Sequence, residues 1–509
     1  MAYKVLRMAS RLNGFLLFIL MIIQGYLSGQ SHFTPTNEIQ QAYQYATSLR
    51  LPLARQWVER IRNNDPENLL VELIENYIDF FELFIEEDEG RFKHLEKEKD
   101  KRLSKIKKGD KDSPYYRFCQ AEILLQWAVV RLKFGQKITA AREVYSAYIL
   151  LEENRKYHHD FILNHKSLSI IRVLSESIPG LVRFLFGIEG SIERGTREIE
   201  HLYKGTVANH SLMFRDEICV IYAYILYYQN NRKEEAMAVL DNAFSDKNIN
   251  ENPLISFVMA SMAIKNGQNE KAINILNNRS KAQEYIDFHY LDFILGKLWL
   301  NKLDHQSKNY LERFIREFKG RHYIKEALQK LAWYYLIVEN DPTRYDIYIK
   351  RILTEGHALI DEDKQAHLEA ANGNRPDTIL LKARLLFDGK LFEKSYQYLK
   401  AKEILFKNTS NLTEYNYRMG RICQELGDYD LAGVYFNEAL SLQEKKSYYY
   451  SNSALQQGLI LEKLEKYKEA LNYIKQCLAS SPDRYAVSIH QKAKSAKLRI
   501  EEKIRMQSP

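Results

Sequence analysis

The chain has 509 residues, 45% of them apolar and only 10 of them proline. That length suits two to four domains or one long solenoid, and so few breakers exclude an all-β protein. Lys and Arg (74) exceed Asp and Glu (66) for a net charge of +8; both signs are interspersed, the concentrated basic stripe of a nucleic-acid binder is missing, and no nucleic-acid partner is expected.

Residues 1–29 read as a separate object. Lys4, Arg7 and Arg11 precede an apolar run over 15–23 that extends weakly to Leu27. A bilayer span needs ~20 apolar residues, so a secretory signal peptide fits better, with a cut after Gly29. Leu27 departs from the small-x-small rule at that cut. The expectation is an exported protein, periplasmic or envelope-associated. No cysteine lies near the cut, which excludes a lipoprotein. Membrane contact is expected only if the segment stays uncleaved as an anchor.

Residues 30–210 read as a degenerate helical-repeat region. Ala42, Tyr45, Ala54, Val58, Ile61 and Pro66 mark a first helix pair, and 69–85 reads as one apolar helix. A charged insert over 86–113 carries the basic block 97–111. It reads as a solvated helix extension or a mobile insert, with a docking patch for an acidic surface as the alternative. Ser113 and Pro114 open the next helix. Residues 119–134 and 137–152 form a pair, 161–177 a further helix closed by Pro179 and Gly180, and 181–188 with Gly190 and Gly195 are irregular.

From 211 to 355 the pattern is regular. Tyr224, Asn231, Ala236, Leu240 and Ala243 mark one unit, and Ala260, Ala263, Gly267, Ala272 and Leu276 the next. Ser307, Leu311 and Phe314 close a third. A fourth, over 323–353, lacks the usual small residues. Residues 356–376 read as a polar break holding Asp361, Glu362 and Asp363. Over 377–482 the pattern resumes with Ala383, Phe387, Gly389, Ser395 and Leu399. It is clearest in Gly420, Cys423, Gly427, Tyr429, Ala432, Phe436 and Ala439, and again in Gly458, Leu461, Tyr467, Ala470, Ile474, Cys477 and Pro482. Small residues let two helices cross closely, and large ones fill the space beyond. Residues 483–509 read as a capping helix with a basic outer face, which a solenoid needs for solubility.

These spacings resemble the tetratricopeptide repeat (TPR), whose usual period is about 34; the loop 444–448 absorbs the few extra residues between the last two copies. Asn416 and Ala454 stand where the family often has Trp or Tyr. The resemblance implies an all-α fold: an α-solenoid of antiparallel helix pairs, with a degenerate N-terminal part and a C-terminal capping helix. The Tyr, Lys, Asn and Ile bias, in segments such as 314–335, resembles exported TPR proteins of Bacteroidetes-type bacteria.

The resemblance further implies a non-enzymatic scaffold that meets a protein or peptide partner through helix A side chains on a concave face. The repeat register places Arg384, Tyr417, Arg421, Gln424, Leu459 and Glu462 there. Arg and Tyr often dominate interfaces, and Arg384 and Arg421 can grip a carboxylate. The Lys and Asn set of carboxylate-clamp TPR proteins is not reproduced. The alternative is an envelope protein binding a glycan or small ligand on aromatic surfaces such as Tyr448-Tyr449-Tyr450 or Trp333-Tyr334-Tyr335.

Catalytic motifs are missing: no GxSxG, HExxH, phosphate-binding glycine loop or kinase set. No enzyme activity, cofactor or metal is expected. His158, His159 and His165 are the densest histidine group and read as surface residues. Cys119, Cys219, Cys423 and Cys477 read as small core residues, with a Cys423–Cys477 bridge as the alternative.

Overall fold

The computed structural model describes residues 31–175, 190–208, 212–245, 248–442 and 444–507. The signal-peptide reading of 1–29, and Pro179, Gly180 and 181–188, lie outside these. The described residues form 24 α-helices and no strand, an all-α solenoid of helix pairs. None of these helices is long and apolar enough to cross a membrane. The chain divides into two compact units, Met1–Met262 with Ile275–Phe288, and Ala263–Asn274 with His289–Pro509. The division falls inside the stretch that reads as one run of regular repeats.

In the first unit, α1 (Asn37–Thr47) pairs with α2 (Leu51–Asn64), and α1 also packs on α3 (Leu70–Glu86). The charged insert is a docked helix, α4 (Glu89–Ile106), lying on α3 and on α5 (Pro114–Lys133). Lys97, Lys101, Lys107, Lys108 and Lys111 of its basic block are exposed, as a solvated helix face would have them, but Lys99 and Arg102 are buried. Lys99 bonds Glu143 at 3.0 Å, Arg102 bonds Asp79 at 2.5 Å and Glu75 at 3.2 Å, and Lys105 bonds Glu72 at 2.8 Å. Those acids sit on other helices, too far along the chain for a local charge count to find them.

Helices α5 and α6 (Lys137–Tyr157) pair closely, followed by α7 (Asn164–Ser175) against α8 (Ile192–Ala208). Gly195 permits the second contact, since a Cβ there would lie 2.8 Å from the Ser169 carbonyl oxygen. Helices α9 (Arg215–Tyr228) and α10 (Lys233–Phe244) form the next pair. His165 is half-buried, 3.9 Å from Glu198, while His159 is exposed; the expected all-surface histidine group is thus corrected at His165.

Five helices of this unit each contribute to one buried polar seam. The ammonium of Lys166 (α7) lies 2.6 Å from Glu122 (α5) and 2.7 Å from Glu217 (α9). The hydroxyls of Tyr43 (α1) and Tyr77 (α3) donate to Glu217 at 3.1 and 2.8 Å, and Ser167 donates to Glu122. Burial, with Glu217 close by, pushes the Glu122 carboxyl up, against the pull of Lys166. Two carboxyl groups share one lysine here, Glu122 buried and Glu217 partly exposed.

The helices α11 (Pro253–Lys265) and α12 (Asn269–Asn278) precede α13 (Tyr290–Asn301) and α14 (Gln306–Glu317), the first pair lying wholly in the second unit. Then come α15 (Ile324–Ile337) with α16 (Pro342–Thr354), α18 (Thr378–Asp388) with α19 (Phe392–Lys400), α20 (Leu412–Leu426) with α21 (Tyr429–Ser441), and α22 (Tyr448–Lys463) with α23 (Tyr467–Leu478). The small crossing residues act as their spacing implies. A Cβ on Gly420 would stand 2.6 Å from the Phe436 ring, and one on Gly458 2.7 Å from Ile474. At two other crossings a buried serine bonds the facing carbonyl: Ser307 to Gly296 and Ser395 to Ala383, both at 2.8 Å.

The stretch read as a polar break contains a helix, α17 (Asp361–Asn372), packed on α15 and α16. Its buried stripe is only Asp363, Ala366 and Ala370, too thin to show in composition. The Asp363 carboxylate accepts from the backbone N–H groups of Tyr323 at 2.7 Å and Glu326 at 3.0 Å. It thereby caps α15, which has no side-chain cap of its own. Burial raises the Asp363 pKa to about 6, against those two bonds.

The capping helix α24 (Ala486–Gln507) buries Ile489, Ala493, Ala496 and Ile500 against α22 and α23. Arg484 lies before it, in a loop. All four cysteines are buried and unbridged. Burial pushes the thiol of Cys423 up to about 11 and that of Cys477 to about 12.

Candidate functional site

The second unit encloses a cavity of about 840 Å³. Its wall is built by helices α13, α15, α17, α18, α20 and α22 and by the loop before α24. One rule of position generates part of that wall. The residue after the small crossing residue points off the crossing into the cavity: Lys297 after Gly296, Arg384 after Ala383, and Arg421 after Gly420. Tyr417 stands one turn before Arg421 on the same face.

Aromatic rings and cations pair throughout the lining. Arg384 lies 4.9 Å and Lys330 3.9 Å from the Trp333 ring centroid. Arg421 covers Phe387 at 5.4 Å, and Arg484 covers both Tyr448 at 5.0 Å and Tyr449 at 4.8 Å. Cation–π contact holds these guanidiniums in place without consuming their N–H donors. Two guanidiniums of the lining also donate to a carboxylate: Arg418, 5.9 Å from the Tyr449 ring, to Glu414 with its Nε at 2.7 Å, and Arg421 to Glu425 at 3.3 Å.

A directional chain of side-chain hydrogen bonds backs the wall. Gln424 donates to Gln456 at 3.1 Å, and Gln456 donates to Asn452 at 3.2 Å. Asn452 then donates to the Tyr417 oxygen at 2.7 Å and the Tyr448 oxygen at 2.9 Å. Burial, then the neighbouring Tyr448, pushes the Tyr417 phenol up, so it stays protonated. Arg421 stays charged: Tyr417 and Glu425 outweigh its burial.

The acids lie mostly toward α15 and α17. Glu326 is held by Lys297 at 2.8 Å and stands 3.6 Å from Lys330. Glu369 accepts from Trp333 at 2.7 Å and from Gln329 at 2.6 Å. Burial lowers the Lys330 pKa to about 8, partly offset by Glu326 and aided by the positive charge of Arg384.

Of the six residues expected on the concave face, Arg384, Tyr417 and Arg421 line the cavity together. Gln424 stands behind the lining in the hydrogen-bond chain. Leu459 and Glu462 do not face the cavity. Leu459 packs into the core cluster that includes α24, and Glu462 pairs with Arg499 of α24 at 2.9 Å. The capping helix covers the last helix A, which a register count alone does not reveal. Trp333, Tyr334, Tyr335 and Tyr450 are buried rather than aromatic surface; Trp333, Tyr448 and Tyr449 reach the cavity by part of their rings. Sequence reasoning missed Lys297, although the crossing rule finds it once Gly296 is recognised. It also missed Arg484 and Asn452, for which no local signal exists.

Residues 412–483 match the tetratricopeptide repeat family. That stretch covers α20 to α23, and its TPR helices supply Tyr417, Arg421 and Tyr448. No curated protein matches the chain. Among solved structures, a monomeric mutant of IFIT1 with Gppp-AAAA is 14% identical, covering 76% of this chain and 83% of that one at a TM-score of 0.29. The APC/C hetero-tetramer Cut9–Hcn1 is 11% identical, covering 90% and 95% at a TM-score of 0.22. Neither supports the expected likeness to exported Bacteroidetes-type proteins.

Proposed function

We propose that this chain is a non-enzymatic scaffold that holds a segment of a partner protein in the cavity of the second unit. TPR solenoids typically act as scaffolds for protein partners. The observation that carries the reading is the convergence of Arg384, Tyr417 and Arg421 on one face. A glycan would need bare ring faces, and here the rings of Trp333, Phe387, Tyr448 and Tyr449 already carry cations. Glu326, Glu362, Glu369, Asp388 and Asp483 interrupt the basic residues, so the lining is no continuous phosphate-tracking groove. Mixed charge beside fixed rings suits a peptide.

The decisive experiment is display selection of random peptides on the full chain, repeated with Arg384→Ala plus Arg421→Ala. Enriched peptides should lose at least tenfold in affinity for the double variant. Unchanged binding by a folded double variant sinks the site. We place the protein outside the cytoplasm on the strength of residues 1–29; N-terminal sequencing of the mature protein after fractionation tests it, and an intact Met1 in the soluble cytoplasmic fraction refutes it.

A further inference from the structure

The bonding around Tyr417 and Tyr448 leaves one part of the cavity rich in donors, with Asp388 and Asp483 also in its lining. Asn452 directs both of its amide hydrogens into the two phenol oxygens, at 2.7 and 2.9 Å. Each oxygen is thus already an acceptor, and the two phenols stand 3.4 Å apart, so one hydrogen passes between them and the other is left to point outward. Three guanidiniums flank them. Arg384 has its nearest carboxylate, Asp388, at 3.6 Å, and Arg421 has Glu425 at 3.3 Å. Arg484 makes no ion pair within 4.0 Å among the described residues, and the Asp483 carboxylate caps α22 by accepting from the Tyr448 N–H at 2.7 Å. The groups are neighbours in space: the Tyr485 phenol feels the charge of Arg384 and Arg484 and, opposing them, that of Glu362, and Arg421 feels that of Tyr417 and Tyr448.

We propose that this end of the cavity is a subsite for a phosphoryl group carried on a side chain of the bound segment. The inference rests on the peptide-binding reading above. Its chemical basis is donor count and direction. The donors come from α18, from α20, from α22 and from the loop before α24, so they approach from several sides. A planar carboxylate offers two oxygens in one plane. A phosphoryl group offers three strong acceptor oxygens in a tetrahedron and close to two negative charges, and Arg forks match its edges. The loose i,i+4 pairs to Asp388 and Glu425 are of the kind worth little by themselves, so a dianion can displace them.

The test is calorimetric titration of the full chain with four probes: inorganic phosphate, and three capped five-residue peptides that place phosphoserine, glutamate or serine between glycines. The phosphoserine peptide should bind at least tenfold tighter than the glutamate peptide, and inorganic phosphate should compete with it. Arg421→Ala should weaken the phosphoserine peptide about tenfold, as should Tyr417→Phe combined with Tyr448→Phe, which removes two hydroxyls and with them both acceptors of Asn452. Equal affinity for the phosphoserine and glutamate peptides overturns the subsite. So does undiminished binding in the double phenylalanine variant. If display selection yields ordinary peptides that phosphate does not displace, the subsite falls and the peptide-binding reading stands. If inorganic phosphate binds, with the expected losses in the variants, while no peptide does, the scaffold reading falls and the site is one for the free ion.

Discussion

Lys166→Met removes the one cation in the buried seam of the first unit, leaving the Glu122 and Glu217 carboxylates close together. Two contacts of 2.6 and 2.7 Å are lost. At an effective dielectric of about 20, each unit-charge pair at that range is worth roughly 6 kcal/mol before desolvation is set against it. The net penalty for breaking a buried pair is about 3–5 kcal/mol, and we expect that loss at pH 7. Glu122 already has a raised pKa, and without Lys166 it rises further. A carboxyl with a folded pKa above its unfolded value gives stability that is present at low pH and lost as pH rises through the folded pKa. The variant should therefore be closer to wild type at pH 5 than at pH 8. Hydrogen exchange on α1, α3, α5 and α7 localises the effect, with the second unit as internal control. Adding Glu122→Gln should recover at least half of the loss. A variant within about 1 kcal/mol of wild type at both pH values, against the usual cost of an uncompensated buried charge, refutes the reasoning.

Asp363→Ala leaves the Tyr323 and Glu326 N–H groups without their acceptor and should cost about 1–2 kcal/mol, read by urea unfolding. Asp363→Asn keeps one acceptor. It should also abolish a pH effect: with the folded pKa at about 6, wild type gains stability as pH falls from 7 towards 4, and the variant does not. Lys330 is held charged at pH 7 against a pKa lowered to about 8, a cost of about 3 kcal/mol. Lys330→Met should raise stability at pH 7 by up to that amount, with the gap closing as pH rises from 8 towards 10.5; a lower melting temperature at pH 7 refutes this. Gly420→Ala drives a methyl to 2.6 Å from Phe436 and should cost about 1–3 kcal/mol, partly restored by Phe436→Leu.

The sequence carried the helix pairs because crossing residues are local. Gly420 and Phe436 lie sixteen apart, and their sizes alone encode the contact. The same property exposed Arg384 and Arg421, each one step beyond a small residue. Partners separated by longer stretches left no such trace. Lys99 and Arg102 look solvated until Glu143 and Asp79 are placed beside them. Leu459 and Glu462 occupy a helix A face that only the capping helix removes from the cavity. Helix α17 was hidden because its buried stripe is two alanines and an aspartate, and a stripe that narrow barely alters hydropathy.

The chain of amides running from Gln424 through Gln456 to Asn452 has a thermodynamic meaning of its own. Every link donates in the same direction, so reversing one amide would set two acceptors or two donors against each other along the line. The amides therefore have one mutually consistent arrangement, which fixes both phenol oxygens as acceptors from Asn452. A ligand meets a preorganised surface, and little ordering entropy is left to charge against its binding. Association should proceed in one kinetic phase, with differences between ligands expressed in how long each stays bound.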